Sequence, residues 1–134
     1  MFRGADCRGD MTEKARRVEK PWGHELIWAD TELYVGKILH VNAGEQLSVQ
    51  MHQVKDETLS LLQGEIRLWA GPTVDDLSEV ALGPGDSFRV KPGTVHYIQA
   101  VTDADVLEAS TPHLDDVVRF KDRYGRAPEG PSSP

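Results

Sequence analysis

The sequence has 134 residues, enough for one domain with a single hydrophobic core and too few for a second domain of ordinary size. Hydrophobic residues at 39% and charged residues at 28% are typical of a globular protein, so neither a disordered nor a fibrous chain is indicated. The formal net charge is −7 and no basic stripe is present, which argues against binding to nucleic acid or to an anionic membrane surface. The apolar runs are too short to cross a membrane, and residues 1–20 lack the apolar centre of a signal peptide, so we expect a cytoplasmic protein.

Both ends of the chain have the composition of mobile tails. Residues 1–17 are charged and show no hydrophobic period, and residues 127–134 are mainly Pro, Gly and Ser. We therefore predict one folded domain over residues 18–126. Cys7, the only cysteine, lies in the first tail and cannot form an internal disulfide, and we interpret it as an incidental residue rather than a reactive thiol.

Between the tails, short β-type runs alternate with turn residues at intervals of about ten residues, which predicts a sandwich or barrel of strands. Trp22 precedes the first run, and we expect its ring to pack on the end of the barrel or on a partner subunit, with a sugar-stacking platform as the alternative. Gly64 fits a hairpin turn that requires a positive φ. The predicted strands are HELIWA, LYVGKILHV, QLSVQM, TLSLLQ, EIRLW, SEVAL, DSFRV, VHYIQA and DVLEAS.

Three candidate metal ligands lie at the end of the third run and in the turn that joins it to the fourth. Gln50 and His52 are two residues apart, so on a strand both side chains project from the same face. Glu57 follows a short turn, and a hairpin at this point would bring an amide oxygen, an imidazole nitrogen and a carboxylate together. His96, on a later strand after a Pro-Gly turn, is the candidate for the fourth ligand. A carboxylate inside a barrel needs a compensating charge, which a divalent cation supplies.

These donors predict a site for one divalent first-row metal ion with coordination positions left for water or substrate. Zn²⁺, Mn²⁺, Fe²⁺, Co²⁺ and Ni²⁺ all accept such a mixed set, and the absence of thiolate ligands argues against a structural zinc site. Gln50 is the weakest donor, and its alternative role is a hydrogen bond to a metal-bound water. Histidine ligands must be neutral, so we expect metal occupancy to fall below about pH 6.

The same strand alternation predicts an interface. Side chains that alternate with Gln50 and His52 would face outwards, and an apolar outer face needs cover. We expect a second copy of the chain to supply that cover, so we predict a homodimer. The residues predicted to face outwards are Leu47, Val49 and Met51, joined by Ser60 and Leu62.

The spacing of these residues resembles the two sequence motifs of the cupin family. Residues 44–64 fit the first motif, with Gln50 where many cupins have His, and residues 85–96 fit the second. The resemblance implies an all-β fold, a single double-stranded β-helix or jelly-roll barrel. It also implies a metal site whose ligands are Gln50, His52, Glu57 and His96.

The segments KPWGHEL, SVQMH and DDVVRFKDRYGR resemble the C-terminal cupin domain of type II mannose-6-phosphate isomerases, which are often fused to a mannose-1-phosphate guanylyltransferase. The likeness runs from about residue 19 to residue 126, and the Gly-rich nucleotide loop of the guanylyltransferase part is absent, so we do not expect nucleotidyl transfer. The resemblance implies isomerisation of a sugar phosphate between aldose and ketose, through a metal-stabilised enediolate and a general base.

The resemblance also suggests roles for three cationic residues. Lys55 stands where the family has Arg, and it would act as the base if its pKa were depressed, or pair with the phosphate of the substrate. Arg123 and Arg126 are further phosphate candidates, with surface salt bridges as the alternative.

The chain departs from that isomerase family between residues 53 and 59, which leaves the substrate and the activity open. A metal-dependent sugar or sugar-phosphate isomerase is the first hypothesis. The alternatives are another metal-cupin enzyme, either an oxygenase or a lyase, and a non-catalytic cupin that binds a carbohydrate. Gln50 in place of His and the closing DRYGR motif argue against the oxygenase.

Overall fold

The computed structural model describes residues 12–126, and this part of the chain contains eleven β-strands and no helix. Each of the nine runs predicted from the sequence overlaps one strand, and β1 and β11 are additional. The strands are β1 Arg16–Lys20, β2 Gly23–Asp30, β3 Val35–Val41, β4 Val49–Met51, β5 Glu57–Gln63, β6 Ile66–Thr73, β7 Asp76–Val80, β8 Ser87–Val90, β9 Val95–Ala100, β10 Ala104–Ser110 and β11 Val118–Lys121.

The strands form two antiparallel sheets with interleaved connectivity. The six-stranded sheet has the order β1-β2-β3-β10-β5-β8, and the five-stranded sheet has the order β11-β4-β9-β6-β7. Strand β10 thus lies between β3 and β5, and β9 lies between β4 and β6, so most neighbours are distant in sequence. This is the jelly-roll arrangement of a double-stranded β-helix, and the predicted fold class is confirmed.

The hydrophobic core lies between the two sheets and is built by alternate residues of each strand. Leu61, Leu68, Ile98 and Val106 are at most 1% exposed, as expected for side chains on the inner faces of a sandwich. Trp22 is 3% exposed and belongs to the same cluster, so its ring packs in the core and offers no open stacking platform.

The prediction that an apolar surface faces outwards around strand β4 is wrong. Strand β4 has only three residues, and Leu47 precedes it and turns into the core, where its N–H donates to Ile98 O at 2.9 Å. Val49 is only 6% exposed. Ser60 and Leu62 lie on β5, which belongs to the other sheet. The five residues predicted to face outwards together therefore do not form one continuous surface.

The chain ends differ slightly from the sequence prediction. Strand β1 begins at Arg16, so Arg16 and Arg17 belong to a strand although we placed them in the N-terminal tail. Most of both predicted tails, including Cys7, lies outside the described residues. Within residues 12–126, no helix has the length and hydropathy needed to span a membrane.

Candidate metal centre

Three of the four predicted ligands meet at one point inside the barrel. His52 Nε2 lies 3.0 Å from Glu57 Oε2, and His96 Nε2 lies 3.2 Å from the same oxygen. His52 directly follows β4, Glu57 opens β5, and His96 lies in β9, so both sheets contribute. The three side chains are 3–4% exposed, and the cluster has the composition of a metal site.

The hydrogen bonds of the two histidines orient their free nitrogens toward this point. His52 Nδ1 donates to the carbonyl oxygen of Asp116 at 2.6 Å, and His96 Nδ1 donates to that of Thr94 at 3.0 Å. Since a carbonyl only accepts, each neutral ring keeps its proton on Nδ1 and presents a lone pair from Nε2. Carbonyl partners of this kind orient histidine ligands in metal sites.

The Glu57 carboxylate is ionised. Burial raises the pKa of Glu57, but the contacts with both histidine rings and the charge of Lys55 outweigh burial and hold the pKa well below its usual value. Each of the two Nε2–Oε2 contacts needs a proton or a metal cation between the nitrogen and the oxygen, because a nitrogen lone pair that faces a carboxylate is unfavourable in the protein interior. The donor set fits a divalent metal ion, with His52, Glu57 and His96 as ligands.

Gln50 lies beside this cluster. It is paired with His96 across strands β4 and β9, and it lines a small cavity together with Glu57. Ser48 Oγ donates to Gln50 Oε1 at 2.8 Å, which orients the amide group. The amide oxygen is thus held next to the other donors, as the sequence pattern predicts for a fourth ligand or for a partner of a bound water.

Lys55 and Glu108 form a buried ion pair behind Glu57. Lys55 Nζ lies 3.0 Å from Glu108 Oε2 and 3.4 Å from Glu57 Oε1, and Ser110 Oγ donates to Glu108 Oε2 at 3.1 Å. Burial lowers the pKa of Lys55, but the charges of Glu108 and Glu57 outweigh burial and raise it above its usual value. This direction of the pKa favours the protonated form of Lys55. A role as the base would require a depressed pKa, so these surroundings do not support that role.

The sequence reasoning missed Glu108. Its signal was present in the run VLEAS, where Val106, Glu108 and Ser110 alternate on the inner face of β10. A carboxylate at the centre of an inward-facing apolar row requires a partner, and that requirement marks it as a candidate for the site.

Asp116 fixes the loop that carries the site, and the sequence reasoning missed it as well. Its carboxylate accepts hydrogen bonds from the backbone N–H groups of Gln53, Val54 and Lys55 at 3.1, 2.7 and 2.8 Å. Burial raises the pKa of Asp116, but these three bonds outweigh burial and hold the pKa below its usual value of 3.8. The segment before β11 thereby positions both His52 and the loop that follows it.

A cavity of about 240 Å³ adjoins the ligand cluster and is lined in part by Gln50 and His52; we call it the main cavity. It is lined by five cationic and three acidic side chains, a local excess of positive charge in a chain whose net charge is −7. Such a cavity favours an anionic ligand. Its polar lining consists of Arg16, Lys20, Lys37, Lys55, Arg119, Glu25, Glu108, Asp115, Gln50 and His52.

The two arginines of the DRYGR motif occupy different places. Arg123 donates to Gly44 O at 2.7 Å and to Gln46 Oε1 at 2.9 Å, and it lines a separate outer groove. Arg126 pairs with Asp122 at 2.7 Å and borders a small cavity that Gln50 also lines. The structure thus brings Arg126 near the site and leaves Arg123 outside the main cavity.

Comparison with known proteins identifies the family. The family model of the cupin domain, which describes its sequence pattern, matches residues 37–110, more than half of the chain. The chain belongs to the cupin family. This cupin is 35% identical over 116 residues to mannose-1-phosphate guanylyltransferase ManC of Salmonella typhimurium (strain LT2), and 34% identical over 116 residues to the mannose-1-phosphate guanylyltransferase of Escherichia coli (strain K12). Each alignment covers 83% of this cupin but only 23% of the relative, and the resemblance predicted from SVQMH and DDVVRFKDRYGR is confirmed.

Solved structures share the fold. Oxalate decarboxylase from Bacillus subtilis matches with a TM-score of 0.68 at 15% identity, over 79% of this cupin and 30% of that chain. KdgF from Halomonas sp. matches with a TM-score of 0.59 at 21% identity, over 72% of this cupin and 84% of that chain. At such identities the likeness concerns the double-stranded β-helix alone.

Proposed function

We propose that this cupin is a metal-dependent isomerase that interconverts the aldose and ketose forms of a sugar phosphate. The observation that carries the proposal is the placement of two features together: three acceptor atoms of His52, Glu57 and His96 converge, and they do so beside a cavity with excess positive charge. The similarity to mannose-1-phosphate guanylyltransferases supports a phosphorylated sugar as the ligand.

One divalent ion, Zn²⁺, Mn²⁺, Fe²⁺, Co²⁺ or Ni²⁺, would be held by His52 Nε2, Glu57 Oε2 and His96 Nε2, with Gln50 Oε1 as the fourth donor. When bound, it supplies positive charge next to the substrate oxygens that become negative during enolisation. The protein keeps these donors in place through the carbonyl partners of the histidines. Lys55 balances the charge of Glu57 at Oε1 and leaves Oε2 for the metal ion.

The phosphate group would bind to cations at the rim of the cavity. Lys55 is buried and shared between two carboxylates, so we assign it to the support of Glu57 rather than to phosphate binding. Lys20 and Arg119 line both the main cavity and the smaller one that Arg126 borders. These three cations are the phosphate candidates that the geometry favours.

The proposal is tested by metal analysis followed by proton exchange. Purified protein is incubated in D₂O with fructose 6-phosphate or mannose 6-phosphate, and NMR detects deuterium at C1 or C2. We expect exchange by the wild type, loss of exchange in His96→Ala, and no loss in His40→Ala, because His40 pairs with Asp105 away from the cavity lining. Tightly bound metal without exchange on any hexose phosphate would refute the isomerase.

A non-catalytic cupin that binds a carbohydrate is the second candidate. It is favoured by the pairing of Lys55 with Glu57 and Glu108, which removes the base suggested by the sequence. Binding of a sugar phosphate in calorimetry without any exchange would support it. Oxygen uptake by an iron-loaded sample would point instead to an oxygenase.

We also propose that this cupin is a cytoplasmic homodimer, with an interface other than the one first predicted. Leu26, Ile38 and Leu107 are paired across β2, β3 and β10, and they alternate with inward-facing residues, so they form an apolar row on the outer side of the six-stranded sheet. A second copy carries an identical row, and the two rows can cover each other. Light scattering should give twice the monomer mass for the wild type and the monomer mass for Ile38→Asp.

A further inference from the structure

Glu25 and Lys37 form a charge pair in the wall of the main cavity, and the metal ligand set does not use it. Lys37 Nζ donates to Glu25 Oε1 at 3.2 Å, and the side chains of Lys37 and Glu25 are 7% and 13% exposed. They lie on the neighbouring strands β2 and β3. Both line the cavity together with Gln50 and His52, so a ligand that fills it would contact this pair and the edge of the candidate metal site.

The other carboxylates of the cavity are poorly suited to move a proton. Glu108 Oε2 receives both Lys55 Nζ and Ser110 Oγ, and the residue is 5% exposed. Asp115 is exposed, on the segment that precedes β11.

Glu25 differs from both in its partner and its burial. Its Oε1 pairs with Lys37, whereas the partner of Glu108, Lys55, is shared with the candidate metal ligand Glu57. Its side chain is 13% exposed, and within residues 12–126 its Oε2 makes no hydrogen bond.

We propose that Glu25 transfers the proton in the isomerisation and that Lys37 positions it. This assignment rests on the proposed function. Glu25 Oε2 takes the proton from C2 of the aldose, the electron pair of the C2–H bond forms the C1–C2 double bond, and the carbonyl pair passes to O1. The proton of the O2 hydroxyl then moves to O1 as C2–O2 becomes the carbonyl, and C1 takes the proton back from Glu25. No atom or charge is gained or lost.

Lys37 gives this arrangement two physical advantages. Its hydrogen bond to Oε1 restrains the carboxylate of Glu25, which lines the cavity, so Oε2 keeps one orientation. Its positive charge balances Glu25, so a negatively charged sugar phosphate can approach the carboxylate without meeting an uncompensated like charge.

The test compares Glu25→Gln with Glu65→Gln, a matched substitution at an exposed residue outside the cavity lining. Metal content, the dissociation constant of fructose 6-phosphate in calorimetry and deuterium exchange are measured for each. We expect Glu25→Gln to keep the metal and to bind the sugar phosphate within about threefold of wild type, while exchange falls about 100-fold or more. Glu65→Gln should match wild type in all three measurements.

Three further variants separate a positioning role from a structural one. Glu25→Asp keeps the charge but withdraws the carboxylate, so exchange should fall while metal content and the melting temperature stay close to wild type. Lys37→Arg should restore most of the exchange that Lys37→Met loses. Exchange by Glu25→Gln within about threefold of a catalytically active wild type would overturn the assignment while leaving the isomerase standing. Absence of exchange in metal-loaded wild type would overturn both.

Discussion

The ammonium group of Lys55 lies 3.0 Å from Glu108 Oε2, in a buried ion pair directly behind Glu57, one of the three candidate metal ligands. Lys55 also lies 3.4 Å from Glu57 Oε1, so one cation serves two carboxylates in the protein interior. The pairing draws Oε1 of Glu57 away from the histidines and leaves Oε2 facing them. Strand β10 therefore helps to shape the candidate metal site without contributing one of its three converging side chains.

Removal of Glu108 should destabilise the fold strongly. Glu108→Ala leaves the buried charge of Lys55 with a single carboxylate, and breaking a buried ion pair costs about 3 kcal/mol or more of unfolding free energy. Urea denaturation at pH 7 measures the loss. Glu79→Ala, which removes an exposed partner of Arg67, is the matched control and should cost far less. Equal losses in the two variants would show that the Lys55 pair contributes no more than a surface salt bridge.

Removal of the metal ion should lower thermal stability. His52, Glu57 and His96 come together only in the native protein, so a metal ion held by them would bind the native state and stabilise it. At a free metal concentration 100 times the dissociation constant, the gain in unfolding free energy is about 2.7 kcal/mol. The melting temperature should therefore fall on addition of a chelator and recover with added Zn²⁺ or Mn²⁺. His52→Ala should melt at the same temperature with and without metal. A chelator effect that persists in His52→Ala would place the ion elsewhere.

Acid should weaken the attachment of the loop after His52. The pKa of Asp116 is lower in the folded protein than its usual value of 3.8, which the unfolded chain retains. Its stabilising effect is therefore complete above about pH 4 and is lost as the pH falls through the lower, folded pKa. Urea denaturation between pH 6 and pH 3 should show a gap between wild type and Asp116→Asn that narrows with acid. Asp75→Asn, in the exposed turn between β6 and β7, should follow wild type throughout.

The cluster of candidate metal ligands could be predicted from sequence because its geometry is largely local. Gln50 and His52 share a face through the two-residue period of a strand, and Glu57 follows within one turn. Only His96 required a distant pairing, which the second motif supplied. The four residues could thus be named before the sheet order was known.

The supporting residues could not be predicted in this way, because their partners are set by the sheet order. Glu108 meets Lys55 only because β10 lies beside β5. Asp116 reaches the loop after His52 only because β11 pairs with β4. The interface prediction failed for a related reason: strict alternation was extended through Leu47, which precedes the three-residue strand β4 and turns inward.

The hairpin glycine Gly64 should be far less replaceable than another glycine of similar backbone conformation. Its φ is +93°, and a Cβ placed there would lie 2.4 Å from the carbonyl oxygen of Asp103. Gly85 has a φ of +89°, but a Cβ there would meet nothing within 4 Å. Both Ala substitutions carry the strain of a positive φ, about 1 kcal/mol, and only Gly64→Ala adds a clash with backbone. Urea denaturation should therefore show a clearly larger loss for Gly64→Ala than for Gly85→Ala. Equal losses would mean that the β5–β6 turn can shift away from Asp103 without cost.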